Sequence, residues 1–300
     1  MKKALVLYSG GLDSRLVVRM MQDQDFQVTA LYFALPFGCG CCNLSCNFKF
    51  TQNEEVKMEI FNVNKEPLLG EYLDLLKNPQ FGTGSGINPC KDCKVFMFKK
   101  AKEYADEHGI EVIATGEVLG QRPMSQIPSA MKTIDEALGF EVLRPLCAKV
   151  LKETKFEKKG LVDREKLLGV RGRGRKEQMA LAEKYKIKYP TPGGGCFLCE
   201  KEPGKRLAHL LKYNLITEKS LPLTMIGRHF YMNNIWFVVA RNAQECETIS
   251  KFDNSINDDI GKPAIYYSDE SGEQKALELQ KAYSTGDNLE ARDKFSEFKL

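Results

Sequence analysis

Apolar positions along the chain fall into short blocks separated by helically spaced stretches. Residues 3–8 form an apolar run of strand length, broken by Ser-Gly-Gly, after which Leu12, Leu16, Val17 and Met20 share one helical face. Residues 28–33 predict a second strand, 56–63 a third, and 111–115 a fourth behind a helix over 95–107. Strands alternating with helices imply an α/β fold with a parallel, doubly wound sheet. Residues 149–185 read as largely helical and basic, interrupted by Gly-Val-Arg-Gly-Arg-Gly-Arg. From Leu221 the texture changes. Residues 225–230 and 235–240 predict strands joined by the turn Met-Asn-Asn, with a helix over 243–250, which makes a small α+β module. Two prolines and three glycines in residues 190–195 mark a hinge. The expected domains are 1–148, 149–220 and 221–300.

Composition sharpens this picture in two places. Three hundred residues, 43% of them hydrophobic, suit more than one domain. Ten cysteines, clustered, point to metal or redox chemistry in a reducing, cytoplasmic compartment better than to a disulfide framework. The apolar run before the first glycines is too short for a membrane segment, so no membrane partner is expected. The net charge of +4 is unevenly spread: residues 144–188 hold 15 Lys+Arg against 6 Asp+Glu, a surplus of nine. Charge gathered this way suits a polyanion, with Arg171, Arg173, Arg175 and Lys176 as candidate RNA contacts, although a solvated helical face would look the same.

The candidate chemistry begins at Ser9-Gly10-Gly11-Leu12-Asp13-Ser14, where the first strand hands over to the first helix. Backbone N–H groups and the helix dipole converge there on a space that fits pyrophosphate. The glycines permit positive φ, Ser9 and Ser14 offer hydroxyls, and Asp13 is placed to hold the Mg2+ that accompanies ATP. The loop lacks the lysine of an ordinary P-loop and the Gly-x-Gly-x-x-Gly of a dinucleotide fold. It resembles the signature of the N-type ATP pyrophosphatases (the PP-loop superfamily), which implies an adenine nucleotide alpha hydrolase-like fold, adenylation of a carbonyl-type oxygen, and an adenine pocket near Leu31, Tyr32 and Phe33.

A second signature, Ala-Thr-Gly-Glu-Val-Leu-Gly-Gln-Arg-Pro-Met-Ser-Gln over residues 114–126, follows the fourth strand at the edge where open α/β sheets bind ligands. With Leu143-Arg144-Pro145-Leu146 it resembles the tRNA 4-thiouridine synthases. That resemblance covers roughly residues 1–200 and implies a uridine carbonyl in tRNA as substrate, with Gly116, Glu117 and Gln121 near the nucleotide. The family's amino-terminal RNA-binding extension has no counterpart here, so RNA capture is expected elsewhere.

Cys90-Lys-Asp-Cys93 and Cys196-Phe-Leu-Cys199 offer paired thiolates at metal-ligand spacing, expected on loops. Asn88-Pro89 before the first pair and Gly-Gly-Cys-Phe around the second resemble the tRNA 2-thiouridylases, which implies Cys93 and Cys196 as the catalytic pair. Three chemistries stay open: a [4Fe–4S] cluster on Cys90, Cys93 and Cys196 that receives sulfide; a persulfide on Cys196 resolved by Cys93, using thiolates of low pKa; and a structural Zn2+ on all four sulfurs. The sulfur donor is correspondingly sulfide or a persulfide carrier protein. Cys39, Cys41, Cys42 and Cys46 form a further cluster with no assigned role, while Cys147 and Cys246 read as ordinary buried thiols.

The last module resembles the small RNA-binding domain of NFACT-type proteins, with Arg228, Phe230 and Arg241 sharing a face. Together these features imply an ATP-dependent tRNA thiouridine synthase, with a homodimer an open option. An amide- or nitrile-forming ligase with structural zinc, and a non-catalytic RNA-binding adaptor, are the alternatives.

Overall fold

The computed structural model describes residues 2–38, 44–84, 86–191, 195–257, 261–284 and 289–300. The chain divides into two compact units, Met1–Cys199 and Glu200–Leu300. No helix among the described residues is long and apolar enough to cross a membrane.

The first unit is built on strands β1 (Lys2–Leu7), β2 (Phe26–Ala34), β3 (Lys57–Asn62) and β4 (Val112–Thr115), all parallel in the order β3-β2-β1-β4. The alternation of side chains along a strand explains why helices cover both faces. Ala4, Val6, Ala30 and Ala114 join one apolar cluster with Leu12, Leu16 and Val17 of helix α1 (Leu12–Gln22). Leu5, Leu31 and Ile113 point the other way, toward Phe98 and Ala101 of α4 (Cys90–Glu107) and Ile134 of α5 (Pro128–Leu138). The doubly wound expectation is therefore met. Helices α2 (Leu44–Asn53) and α3 (Leu68–Lys77) complete the connections around β3. The order turns back between β1 and β4, so their carboxyl ends open the crevice at which such sheets bind ligands.

Residues 149–185 depart from expectation. They hold only the short α6 (Lys155–Lys158), two single 3-10 turns and α7 (Lys176–Lys184). The glycines and the polar side chains that bond locally to backbone, such as Thr154 in its capping box and Asp163 accepting from Glu165 N–H, break the helical run into turns.

The second unit begins with helix α8 (Lys201–Lys212). It has an antiparallel sheet in the order β5-β6-β8-β7, from β5 (Arg228–Met232), β6 (Ile235–Val239), β7 (Ser255–Ile256) and β8 (Ile265–Tyr267), with helices α9 (Ala243–Ile249), α10 (Glu273–Tyr283) and α11 (Leu289–Asp293). Asn233 and Asn234, at φ 50° and 64°, make the tight turn between β5 and β6. The expected first strand began too early. Met225 lies in a 3-10 turn, and pairing starts at Arg228 opposite Val239.

Candidate active site

The phosphate loop forms from local geometry. Gly10 adopts φ +78°, and the N–H of Arg15 then closes the first helical turn on Gly11 O at 3.2 Å. Ser14 is buried and donates its hydroxyl to Gly11 O at 3.0 Å while accepting from Ser9 N at 3.3 Å, so it shapes the loop; Ser9 stands exposed at the mouth. Beneath the loop the guanidinium of Arg15, 3% exposed, donates to Gly10 O, to Lys188 O and to the sulfur of Cys46 at 2.7, 2.7 and 3.2 Å. No carboxylate pairs with it among the described residues. Asn47, wholly buried, lies against Gly10, and neither of its amide atoms has a hydrogen-bond partner among the described residues.

Gly116, the first residue past β4, packs directly on this loop. A Cβ there would come within 2.8 Å of Asp13 C and Ser14 N, so only glycine fits. Gln121 donates to Asp13 Oδ2 at 2.8 Å and accepts from Gln178 of α7 at 3.3 Å. Asp13 Oδ1 is buried without a partner among the described residues. Burial pushes the Asp13 carboxyl above its ordinary range, opposed by the Gln121 hydrogen bond and the charge of Arg175. An orphaned carboxylate oxygen beside an anion-binding turn fits a hard cation such as Mg2+.

Leu31 and Glu117, two of the expected nucleotide contacts, have buried side chains. Leu31 is fully buried in the apolar cluster under the sheet, where its carbonyl accepts from Tyr8 N at 2.8 Å; Tyr32 is only half-buried. Glu117, 1% exposed, is paired at 3.0 Å with Arg144 and at 3.4 Å with Lys94 of α4. Arg144 also forks onto Asp135 of α5 at 2.7 and 3.2 Å. The cations hold Glu117 below the usual carboxylate range despite burial. This network ties the end of β4 to α4 and α5.

The Cys90–Cys93 pair lies on the first turn of α4 and not on a loop, which puts both sulfurs on one helix face. Cys90 donates to Asn88 Oδ1 at 2.7 Å, and Cys93 lies 3.3 Å from the hydroxyl of the buried Tyr72. Cys196 and Cys199 flank a 3-10 turn with sulfurs 3.6 Å apart, in the same electrostatic neighbourhood as Cys90 and Cys93. All four thiols are raised: Cys93 to about 12 and Cys196 to about 11, chiefly by burial and then by one another. This corrects the expectation of thiolates with low pKa, because no cation is close enough to outweigh desolvation. Among the described residues no three His, Cys, Asp or Glu side chains stand in metal-ligand geometry, while the sulfur-only donor chemistry fits iron–sulfur or zinc. Cys147 is a buried thiol bonded to Glu117 O. Cys39, Cys41 and Cys42 lie outside the described residues, as do residues 192–194 of the expected hinge.

The family model described as thiamine biosynthesis protein (ThiI) matches residues 1–155. The chain belongs to the ThiI family. Two relatives named tRNA sulfurtransferase, from Actinobacillus succinogenes and Haemophilus influenzae, are 32% and 31% identical to this ThiI-family chain over 145 residues, 47% of it and 28% of each relative. The match thus spans under a third of those proteins. A solved 4-thiouridine synthetase–RNA complex with bound ATP aligns over 74% of this chain and 52% of that one, at 17% identity and a TM-score of 0.41.

In this ThiI chain the residues expected to touch RNA are dispersed. Arg171 bridges Leu119 in the loop after β4, and the charge of Arg175 reaches Asp13. In the second unit Phe230 is wholly buried, so it has no face to share with a base. Arg228 lies over the ring of Tyr283 at 5.5 Å, and Arg241 is paired with Glu245 at 2.5 Å. Tyr72, Asn47 and Gln178 were not singled out from sequence. A lone tyrosine, asparagine or glutamine carries no spacing signal.

Proposed function

We propose that the chain uses ATP to activate a uridine carbonyl of tRNA and replaces its oxygen with sulfur. The observation that carries this reading is the joint presence, in one folded unit of a ThiI-family chain, of an ATP-type phosphate loop and a pocket of four thiols. In the first step the uridine oxygen bonds to the α-phosphorus, the bond to the β-phosphate oxygen breaks, and pyrophosphate departs. Ser9 to Ser14 and Gly116 bind and orient the triphosphate, Asp13 with Gln121 positions its Mg2+, and Tyr32 borders the adenine. In the second step a sulfur nucleophile bonds to the activated carbon and AMP leaves.

Cys90, Cys93 and Cys196, with Cys199 as a spare ligand, would hold a [4Fe–4S] cluster. When bound, that group supplies an open iron position at which sulfide is presented. Without it, Cys196 as sulfur carrier and Cys93 as resolving thiol perform the transfer, and their high pKa then requires local opening or a neighbouring cation. The four sulfur donors equally suit a structural zinc site in an amide- or nitrile-forming ligase. Of the expected 149–220 segment, residues 149–199 of the first unit complete the site, and 221–300 provide RNA contacts. Nucleoside mass spectrometry of tRNA from a deletion strain is expected to show loss of one thiouridine, whose position identifies the target. Unchanged thionucleosides overturn the reading.

A further inference from the structure

Charge alone assigns Arg171-Gly172-Arg173-Gly174-Arg175-Lys176 to RNA, but the segment lies against the nucleotide site. Arg171 bridges Leu119 in parallel register, and Gly172 N–H donates to Leu119 O at 2.7 Å. Gly172 and Gly120 both take positive φ, +84° and +81°, and a Cβ on Gly120 would meet Gly172 N at 3.4 Å. The glycines therefore let a basic strip cross close over the loop that carries Gln121.

Helix α7 begins directly after this strip. Arg175 stands at its N-cap position and no side chain caps the first turn, so its free N–H groups and dipole favour an anion. A second, independent observation points to a ligand. Gln178, wholly buried in the first turn, donates to Gln121, while its own Oε1 and the nearby buried Asp13 Oδ1 have no partner among the described residues. Two buried acceptors without donors are costly unless a cation lies between them, and ATP brings one. Arg175 and Arg122 are the charges that oppose burial at Asp13, and neither forms an ion pair among the described residues.

We propose that Arg175, with the amino end of α7, clamps the β- and γ-phosphates of ATP opposite the phosphate loop, while Gln178 Oε1 faces the cation that accompanies them. Residues 171–176 are then a nucleotide clamp and not an RNA contact. This rests on the ATP-activation reading above and adds a catalytic residue to it. As the uridine oxygen bonds to the α-phosphorus, the bridging oxygen takes the electron pair of the broken bond, and uracil N3 gives its proton to solvent. Arg175 neutralises the charge that builds on the departing pyrophosphate.

The test uses the full chain with ATP, Mg2+ and bulk tRNA, comparing R175A and R175K with wild type. In R175A, pyrophosphate release at saturating ATP and tRNA is expected to fall by at least ~100-fold. R175K recovers part of it. The affinity for tRNA at fixed salt stays within about twofold, since a single side chain is a small part of a surface that meets many phosphates. Unchanged release in R175A overturns the clamp. So does a tenfold loss of tRNA affinity with release unchanged at saturating tRNA. If the wild-type chain thiolates no uridine, the thiolation reading falls, and calorimetric titration with ATP–Mg2+ still decides on the clamp. At least ~10-fold weaker binding in R175A supports it, and equal affinity overturns it.

Discussion

Gly10 and Gly116 are replaceable by no other residue, for different reasons. Gly10 sits at φ +78° with a Cβ direction that ends 1.9 Å from Asn47 Oδ1, so an alanine there meets both backbone strain and a buried amide. Gly116→Ala would instead strike backbone at 2.8 Å, which no rotamer change relieves. Both variants are expected to keep their circular dichroism and to lose ATP affinity by at least ~10-fold in calorimetry, because a displaced loop no longer aims its N–H groups at phosphate. Glu117 is a different case. Removing it leaves Arg144, at 6% exposure, with only the half-exposed Asp135 to balance it, and Glu117→Ala should destabilise the first unit by about 3 kcal/mol in urea unfolding. If Glu117 chiefly bound nucleotide, stability would hold and ATP affinity alone would fall.

At the level of elements, the parts legible in the sequence were those with a strong local signal. A five- or six-residue apolar run followed by glycines can be little other than a strand and its turn, and the β1-loop-α1 unit appears within one residue of where periodicity put it. The interior of 149–185 was misread because charge and helix-forming residues mimic a solvated helix, whereas the real determinants are glycines and side-chain-to-backbone bonds. The thiol pairs were legible as pairs, but their pKa was not, since desolvation depends on Tyr72 and the packing of α3 against α4. Gln178 was invisible for the same reason. Its importance comes from what folds around it. The β5–β6 turn was read correctly from Asn-Asn, and its geometry makes a prediction. Asn234→Gly should be neutral, while Asn234→Val, forced to φ 64°, should cost about 1–2 kcal/mol in thermal unfolding of the second unit.

For the whole molecule, the two units carry separable reporters. The sole tryptophan, Trp236, belongs to the second unit and donates to His229 Nδ1 at 3.0 Å, while His229 Nε2 donates to Ile226 O at 2.8 Å. Both ring nitrogens are thus occupied in the neutral form, and burial pushes His229 down to about 3. Its folded pKa lies below the unfolded value near 6.5, so its contribution is complete above about pH 6.5. It is lost as pH falls toward 3, at about 1.4 kcal/mol per pH unit. Tryptophan fluorescence should therefore report acid loss of the second unit, and His229→Gln should flatten that dependence.

Arg15 has a consequence for how the protein meets its anions in a salty medium. A guanidinium at 3% exposure, held by carbonyls and a sulfur and balanced by no carboxylate among the described residues, keeps its field under the phosphate loop where mobile ions do not reach. Surface arginines and lysines, which the proposed function assigns to tRNA, are screened over about 8–10 Å at physiological ionic strength. Raising potassium chloride should therefore strip tRNA from the protein steeply and leave ATP binding nearly level. In the cell, the nucleotide would be the resident ligand and the RNA the passing one.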